Sequence, residues 1–248
     1  MEPDGDKPKI NRKMLVFFIV FLIVIVALSI DFDLHYNPTE ENIKIDNYCQ
    51  ISTKNLVGGG SINVYFITWN GSPNGASSSW AYYSLIGSTK NYTYVNSSSS
   101  YIYNNTPGVI FTNSEYNFTL NGRMIHFIPI YLYKENLTGQ NLINEGLNEI
   151  KAKVPSNVYN DIKIYTTEVL ISGTDSTSAN LSAGNGIPAH INTVSIITGP
   201  GGAYIFNGAL ISPSALSNET PEKVMQNIKD PTITQAVAGL KNYIEKVE

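Results

Sequence analysis

One cysteine in 248 residues, Cys49, excludes an intramolecular disulfide and any Cys-x-x-Cys pair. Thiol–disulfide exchange needs a thiolate to attack and a second sulfur to resolve the mixed disulfide, so two-thiol redox chemistry is excluded with it. Two states stay open for Cys49: a thiol of no consequence, or one half of an intermolecular bridge in an oxidising compartment. Histidine is nearly as scarce. His35, His126 and His190 are the whole inventory, no two within sixty residues of each other, and no metal-ligand spacing results. Charge is thin as well, at 15% of residues with a net of −4. Beyond the first thirteen residues there are 12 basic against 17 acidic side chains, so no basic stripe exists for nucleic acid. The acidic residues show no paired spacing of the glycosidase kind. Gly58-Gly59-Gly60 is followed by no Gly-Lys-Ser/Thr and is therefore not a phosphate loop. No cofactor and no metal are expected.

What is present begins with an apolar run. Residues 14–30 contain no charge and are just long enough to span a bilayer. Lys7, Lys9, Arg12 and Lys13 precede the run, whereas Asp31, Asp33, Glu40 and Glu41 follow it. The positive-inside rule then makes residues 1–13 a cytosolic tail, residues 14–30 a transmembrane signal anchor and the rest extracytoplasmic. A cleavable signal peptide is the competing reading, because Ala27-Leu28-Ser29 offers small residues at the required spacing. Residues 31–60 read as a stalk and lead-in, with a short edge strand possible over residues 43–51. Residues 61–248 are left for one domain, and 16 Tyr and 9 Phe give it ample material for a core.

Along that domain, residues 62–69 are β-branched or aromatic on both faces, as in a buried central strand. Turn chemistry over residues 70–75 is followed by Ala76, Trp80, Tyr83, Leu85 and Ile86 at helical spacing. Residues 89–106, rich in Asn, Ser, Thr and Tyr, read as a loop. Alternating apolar runs on either side of Asn121-Gly122 predict a type I′ hairpin. Leu142, Ile143, Leu147, Ile150 and Val154 predict a helix that Pro155 closes, and residues 162–172 read as a strand pair or one long strand. Strands over 191–198 and 203–206, a helix opened by Thr220-Pro221, and a terminal amphipathic helix complete the chain.

The letters Ser72-Pro73-Asn74-Gly75-Ala76, followed by Trp80, resemble the Trp-Cys-Pro-x-Cys-Ala turn of thioredoxin-fold proteins. The later Ile187-Pro188 resembles the cis-proline that opens the facing strand of that fold. With the Tyr-containing hairpin and residues 208–222, these features resemble an archaeal and actinobacterial family of membrane-anchored thioredoxin-like proteins, domain of unknown function 929. The resemblance covers about residues 61–247. It implies an α/β, three-layer thioredoxin-like fold with a β-hairpin insertion, preceded by one transmembrane helix. It also implies a site at Trp69, Ser72, Pro73, Asn74, Gly75, Trp80, Ile187 and Pro188. Both cysteine positions have degenerated, to Ser72 and Gly75, so such a site would be redox-silent.

Each candidate also has a plainer reading. Ser72 is not in a Gly-x-Ser-x-Gly elbow, and Pro73 follows where an oxyanion-hole N–H would be wanted; a helix cap is the simpler role. Trp69 and Trp80 form either a ligand ledge or core. His190, two residues after Pro188, is either an acid/base group near the turn or a packed histidine. Eight Asn-x-Ser/Thr sequons, at Asn70, Asn91, Asn96, Asn104, Asn117, Asn136, Asn180 and Asn218, suit an exported glycoprotein. A glycan on Asn70 would obstruct the turn. The function expected is a non-catalytic cell-surface domain that binds a partner or polypeptide through the Ser72 turn and the Pro188 edge. The alternatives are a single-cysteine enzyme using Cys49 and a structural subunit of a glycosylated surface assembly, the domain pairing with another surface protein or with itself.

Overall fold

A computed structural model describes Phe21 and residues 43–87, 91–98, 103, 105–133, 137–172, 179–184 and 186–248. Apart from Phe21, the proposed cytosolic tail, transmembrane anchor and first part of the stalk lie outside the described residues. No helix among the described residues is long and apolar enough to cross a membrane.

The chain forms a mixed α/β domain. Its strands and helices run β1 (Ile43–Lys44), β2 (Tyr48–Ser52), β3 (Ile62–Trp69), α1 (Pro73–Ile86), β4 (Tyr92–Asn96), β5 (Pro107–Phe111), β6 (Tyr116–Leu120), β7 (Arg123–Leu132), α2 (Leu142–Lys151), α3 (Ser156–Thr167), β8 (Leu170–Ser172), β9 (Ala179–Leu181), β10 (Val194–Gly199), β11 (Gly202–Asn207), α4 (Pro213–Leu216), α5 (Pro221–Gln226) and α6 (Pro231–Lys246). The main sheet has six strands in the order β2-β11-β10-β3-β7-β6. Strand β7 lies parallel to β3, whereas β10 is antiparallel to β3 and β11 to β10. Two smaller sheets, β1-β8-β9 and β4-β5, flank it.

The apolar character of β3 on both faces is explained by what covers it. Tyr65, Ile67 and Trp69 join a core that includes Leu147 and Ile150 of α2 and Val158 and Ile162 of α3. Val64 and Phe66 join a second core with Trp80, Tyr82 and Leu85 of α1 and Ile233, Leu240 and Ile244 of α6. A strand buried on both sides can carry no polar face, which is why its sequence is nearly continuous in β-branched and aromatic residues.

Helix α1 carries three consecutive buried serines, and their hydroxyls are the means of its attachment. Ser79 Oγ donates to the Ala76 carbonyl at 2.6 Å and accepts from the Val109 N–H at 2.8 Å, while Ser78 Oγ accepts from the Leu210 N–H at 2.9 Å. Trp80 Nε1 donates to the Pro107 carbonyl at 2.9 Å. A Cβ on Gly108 would sit 2.6 Å from Ala76 Cα, so glycine is what lets β5 approach the helix backbone. Buried polar groups without partners cost about 1–3 kcal/mol each, and these bonds remove that cost at the contact.

Three expectations are corrected. Residues 162–172 are neither one strand nor a strand pair: α3 extends to Thr167 and only Leu170–Ser172 forms a strand. Val158, Ile162, Tyr165 and Thr166, all buried, repeat at helical spacing, and this burial outweighs the local β propensity of the Ile and Tyr residues. Pro155 closes α2 and also stands at the N-cap of α3. The polar stretch at 89–106 is not all loop, because β4 pairs antiparallel with β5 from Tyr92 opposite Phe111 to Asn96 opposite Pro107. Within residues 31–60, the edge strand expected over residues 43–51 is present. Strand β2 forms one edge of the main sheet, and Asp46, at φ 56°, turns the chain out of β1. Finally, the second strand of the hairpin is not an insertion but an inner strand of the main sheet. Asn121 and Gly122 take positive φ, 50° and 81°, as a type I′ turn requires, but β7 pairs with β3 from Ile125 opposite Ile62 to Leu132 opposite Trp69, between β3 and the edge strand β6.

Candidate functional site

Strand β3 delivers Trp69 to a tight turn in which the Ser72 N–H donates to the Trp69 carbonyl at 3.0 Å. Ser72 then caps α1: its Oγ accepts from the Gly75 N–H at 3.1 Å, and Pro73 occupies the first helical turn, where no N–H is needed. The same hydroxyl lies 3.0 Å from Thr193 Oγ1, which lies 2.9 Å from Thr68 Oγ1. Ser72, Thr193 and Thr68 are all at most 5% exposed, so the turn is sealed underneath by a chain of buried hydroxyls. Each oxygen has a hydrogen-bonding partner within the chain, and none of the hydrogen bonds given for them among the described residues is to a carboxylate or an imidazole.

Gly75 completes this arrangement. A Cβ at that position would fall onto Thr68 Oγ1 and within 2.9 Å of both Thr68 Cβ and Cγ2. The space a side chain would need at position 75 is therefore occupied by Thr68. At Gly71 a Cβ would run into the Trp69 ring. The turn is built for glycine at both places by close packing.

Ahead of β10, the Ile187–Pro188 peptide bond is cis. Ile187 is 77% exposed, and Pro188 and Ala189 are exposed beside it. His190 is buried, with Nδ1 2.6 Å from the Pro188 carbonyl. A carbonyl only accepts, so Nδ1 carries the proton and Nε2 the lone pair. Its ring meets Trp69 edge-on at 5.9 Å and Tyr133 at 6.0 Å. Gly186 makes room for it, since a Cβ there would overlap the imidazole edge. Tyr133, itself at φ 61°, accepts the Ile191 N–H at its Oη at 2.8 Å and so anchors the segment leading into β10.

Burial pushes the His190 pKa below its ordinary value of 6.5, partly offset by the bond to Pro188. Because the folded state resists protonation, the unfolded chain binds the extra proton first. Stability is then lost as pH falls below about 6.5, and the loss continues until the depressed folded pKa is passed. Substitution by asparagine keeps a donor for the Pro188 carbonyl and removes the titration. Denaturant unfolding at pH 7.5 and pH 5 is expected to show a smaller stability loss in His190→Asn than in the wild type.

The structure brings Trp69, Ser72, Pro73, Asn74 and Gly75 together, and links Trp69 to the Ile187–Pro188 segment through His190. Trp80 does not take part as a surface. It is fully buried, so the ledge reading of this residue is corrected to core. Trp69 is 8% exposed and presents little face to a ligand. Cys49 is buried in β2, opposite Ile205 of β11. Two strands stand between β2 and β3, a lateral separation of about 14 Å at ordinary strand spacing.

Thr68, Thr193, Tyr133 and Gly186 were not found by sequence reasoning. Only the alternation along β3 offered a signal, for Thr68; the partners of the others are remote in the chain. Asn70 is half-buried with its Oδ1 enclosed, and its sequon hydroxyl, on Ser72, is committed to Gly75 and Thr193. Asn91, Asn96, Asn117 and Asn218 are exposed; Asn104, Asn136 and the side chain of Asn180 lie outside what is described. Among the described residues no three His, Cys, Asp or Glu side chains gather in a way that would hold a metal. A cavity of about 270 Å³, lined by Ile62, Arg123, Met124, His126 and Glu248, lies at the opposite end of β3 from the turn.

No curated protein matches the chain, and no solved structure does. A family model described as "Domain of unknown function (DUF929)" matches residues 47–247. With four-fifths of its length under that match, the chain belongs to the DUF929 family.

Proposed function

We propose that this is a membrane-anchored, extracytoplasmic domain of thioredoxin-like fold that performs no thiol chemistry and binds a polypeptide along the Ser72 turn and the Ile187–Pro188 edge. The fold reading is supported by the strand order β11-β10-β3-β7, with β3 and β7 parallel and β10 and β11 antiparallel, and by α1 following β3. The cis bond at Pro188 ahead of β10 supports it as well. One observation carries the functional part: the side-chain space at Gly75 is filled by Thr68, and Ser72 is locked by Gly75 and Thr193. A redox turn needs a sulfur at each of those positions, and the surrounding packing excludes one at the second.

What the site offers instead is an exposed rim over a rigid base. Ile187, Pro188 and Ala189 are exposed, and the Ser72 hydroxyl is already engaged by the Gly75 N–H and Thr193, which favours apolar and main-chain contacts over catalysis. The location of Cys49 at the far edge of the sheet weighs against the single-cysteine enzyme. A photo-crosslinking residue placed at position 187 of the full chain in its membrane is expected to capture polypeptide, and one at the exposed Met124 far less. Equal capture from both positions would refute the binding edge.

A further inference from the structure

Strand β6 is the outer edge of the main sheet, and among the described residues no strand pairs with its free side. Tyr116–Leu120 contains no charged residue and no proline, the devices that usually protect an edge from pairing with another chain. On one face it half-buries Phe118 and Leu120; on the other it exposes Asn117 and Thr119. These two are the first and third residues of an Asn-x-Thr sequon, and in a strand residues two apart point the same way. No side-chain hydrogen bond among the described residues engages either. His126, opposite Asn117 in the register, is turned to Glu115, with Nδ1 2.7 Å from Oε1. This contrasts with Asn70, whose sequon is occluded.

We infer that Asn117 carries an N-linked glycan that guards the open edge of β6. The inference rests on the extracytoplasmic reading, since the modification occurs on exported chains. In the transfer, Asn117 Nδ2 attacks the anomeric carbon of an oligosaccharide held on a lipid phosphate. A C–N bond forms, the C–O bond to phosphate breaks, the lipid phosphate departs with the electron pair, and one amide proton passes to a base of the membrane transferase. The sugar then stands over an edge that lacks charge, doing by bulk what a lysine does elsewhere.

The test uses the full chain, expressed in the membrane of a glycosylating host and followed by peptide mass mapping, with protease accessibility of intact cells run in parallel. A glycan mass on the Asn117 peptide, with Asn70 bare, is the expected result. Two variants separate modification from guarding. Asn117→Gln and Thr119→Lys both abolish the sequon, but only the second places a charge on the edge. After detergent extraction, Asn117→Gln is expected to sediment as larger species at concentrations where wild type and Thr119→Lys remain monomeric. An unmodified Asn117 on a domain accessible from outside overturns this inference and leaves the reading of location intact. A domain sealed inside the cell overturns both. A glycosylated Asn117 whose loss leaves sedimentation unchanged overturns the guarding role.

Discussion

Gly75→Cys, the substitution that would restore the second sulfur, is expected to destabilise the domain by about 1–3 kcal/mol, the usual cost of overpacking a well-filled site. Gly75→Ala is expected to cost nearly as much, because the offending atom is Cβ, within 2.9 Å of two Thr68 carbons, and not the sulfur. The sign makes this informative. Gly75 lies in α1 and is not among the residues with positive φ, so helix propensity alone would make alanine the better residue by about 1 kcal/mol. Equilibrium denaturation of the two variants therefore separates the effects: loss of stability means that packing against Thr68 wins, and gain means that the space was available. Ser72→Cys is expected to be milder, in the range of about 0.5–2 kcal/mol for a lost cap. In the same experiment Thr68→Gly, which removes all three close atoms, is expected to reduce the cost of Gly75→Ala.

Trp80→Ala is expected to be the most damaging single change, at about 3–5 kcal/mol for a fully buried aromatic and its cavity. The loss has two parts. Trp80 packs beside Tyr83 and Tyr94 and also donates Nε1–H to the Pro107 carbonyl, which is buried. Trp80→Phe keeps most of the ring and removes the donor, so about 1–3 kcal/mol of the loss is expected to remain in that variant. Thermal unfolding of the two distinguishes a core tryptophan from a ligand ledge. A ledge residue could be truncated with little change in melting temperature, whereas losing 3–5 kcal/mol lowers it by about 6–20 °C in a domain of this size.

Features encoded locally were legible in the sequence. Strand β3 was, because burial on both faces leaves an unbroken apolar run. So were the Asn121-Gly122 hairpin, the Ser72 and Thr220 caps and helix α6, because turn chemistry, capping and helical periodicity each act within a few residues. Helix α3 was misread because Ile162, Ile164 and Tyr165 favour strand locally, while the helical period of Val158, Ile162 and Tyr165 serves a core contributed by other elements. Strand β4 was hidden by its polar composition. The base of the site was out of reach. Thr193 meets Ser72 across 121 residues and Thr68 across 125, and nothing in either segment marks the other. Gly75 could be seen to lack a sulfur, but that its side-chain space is already filled is a property of the sheet beneath it.

A disulfide-reduction assay of the full chain, supplied with an external reductant and a protein disulfide substrate, tests most directly whether this turn is without thiol chemistry. Wild type and Cys49→Ser are expected to give the same rate as buffer alone. Turnover by the wild type that disappears in Cys49→Ser would contradict the redox-silent reading and establish single-cysteine catalysis in its place.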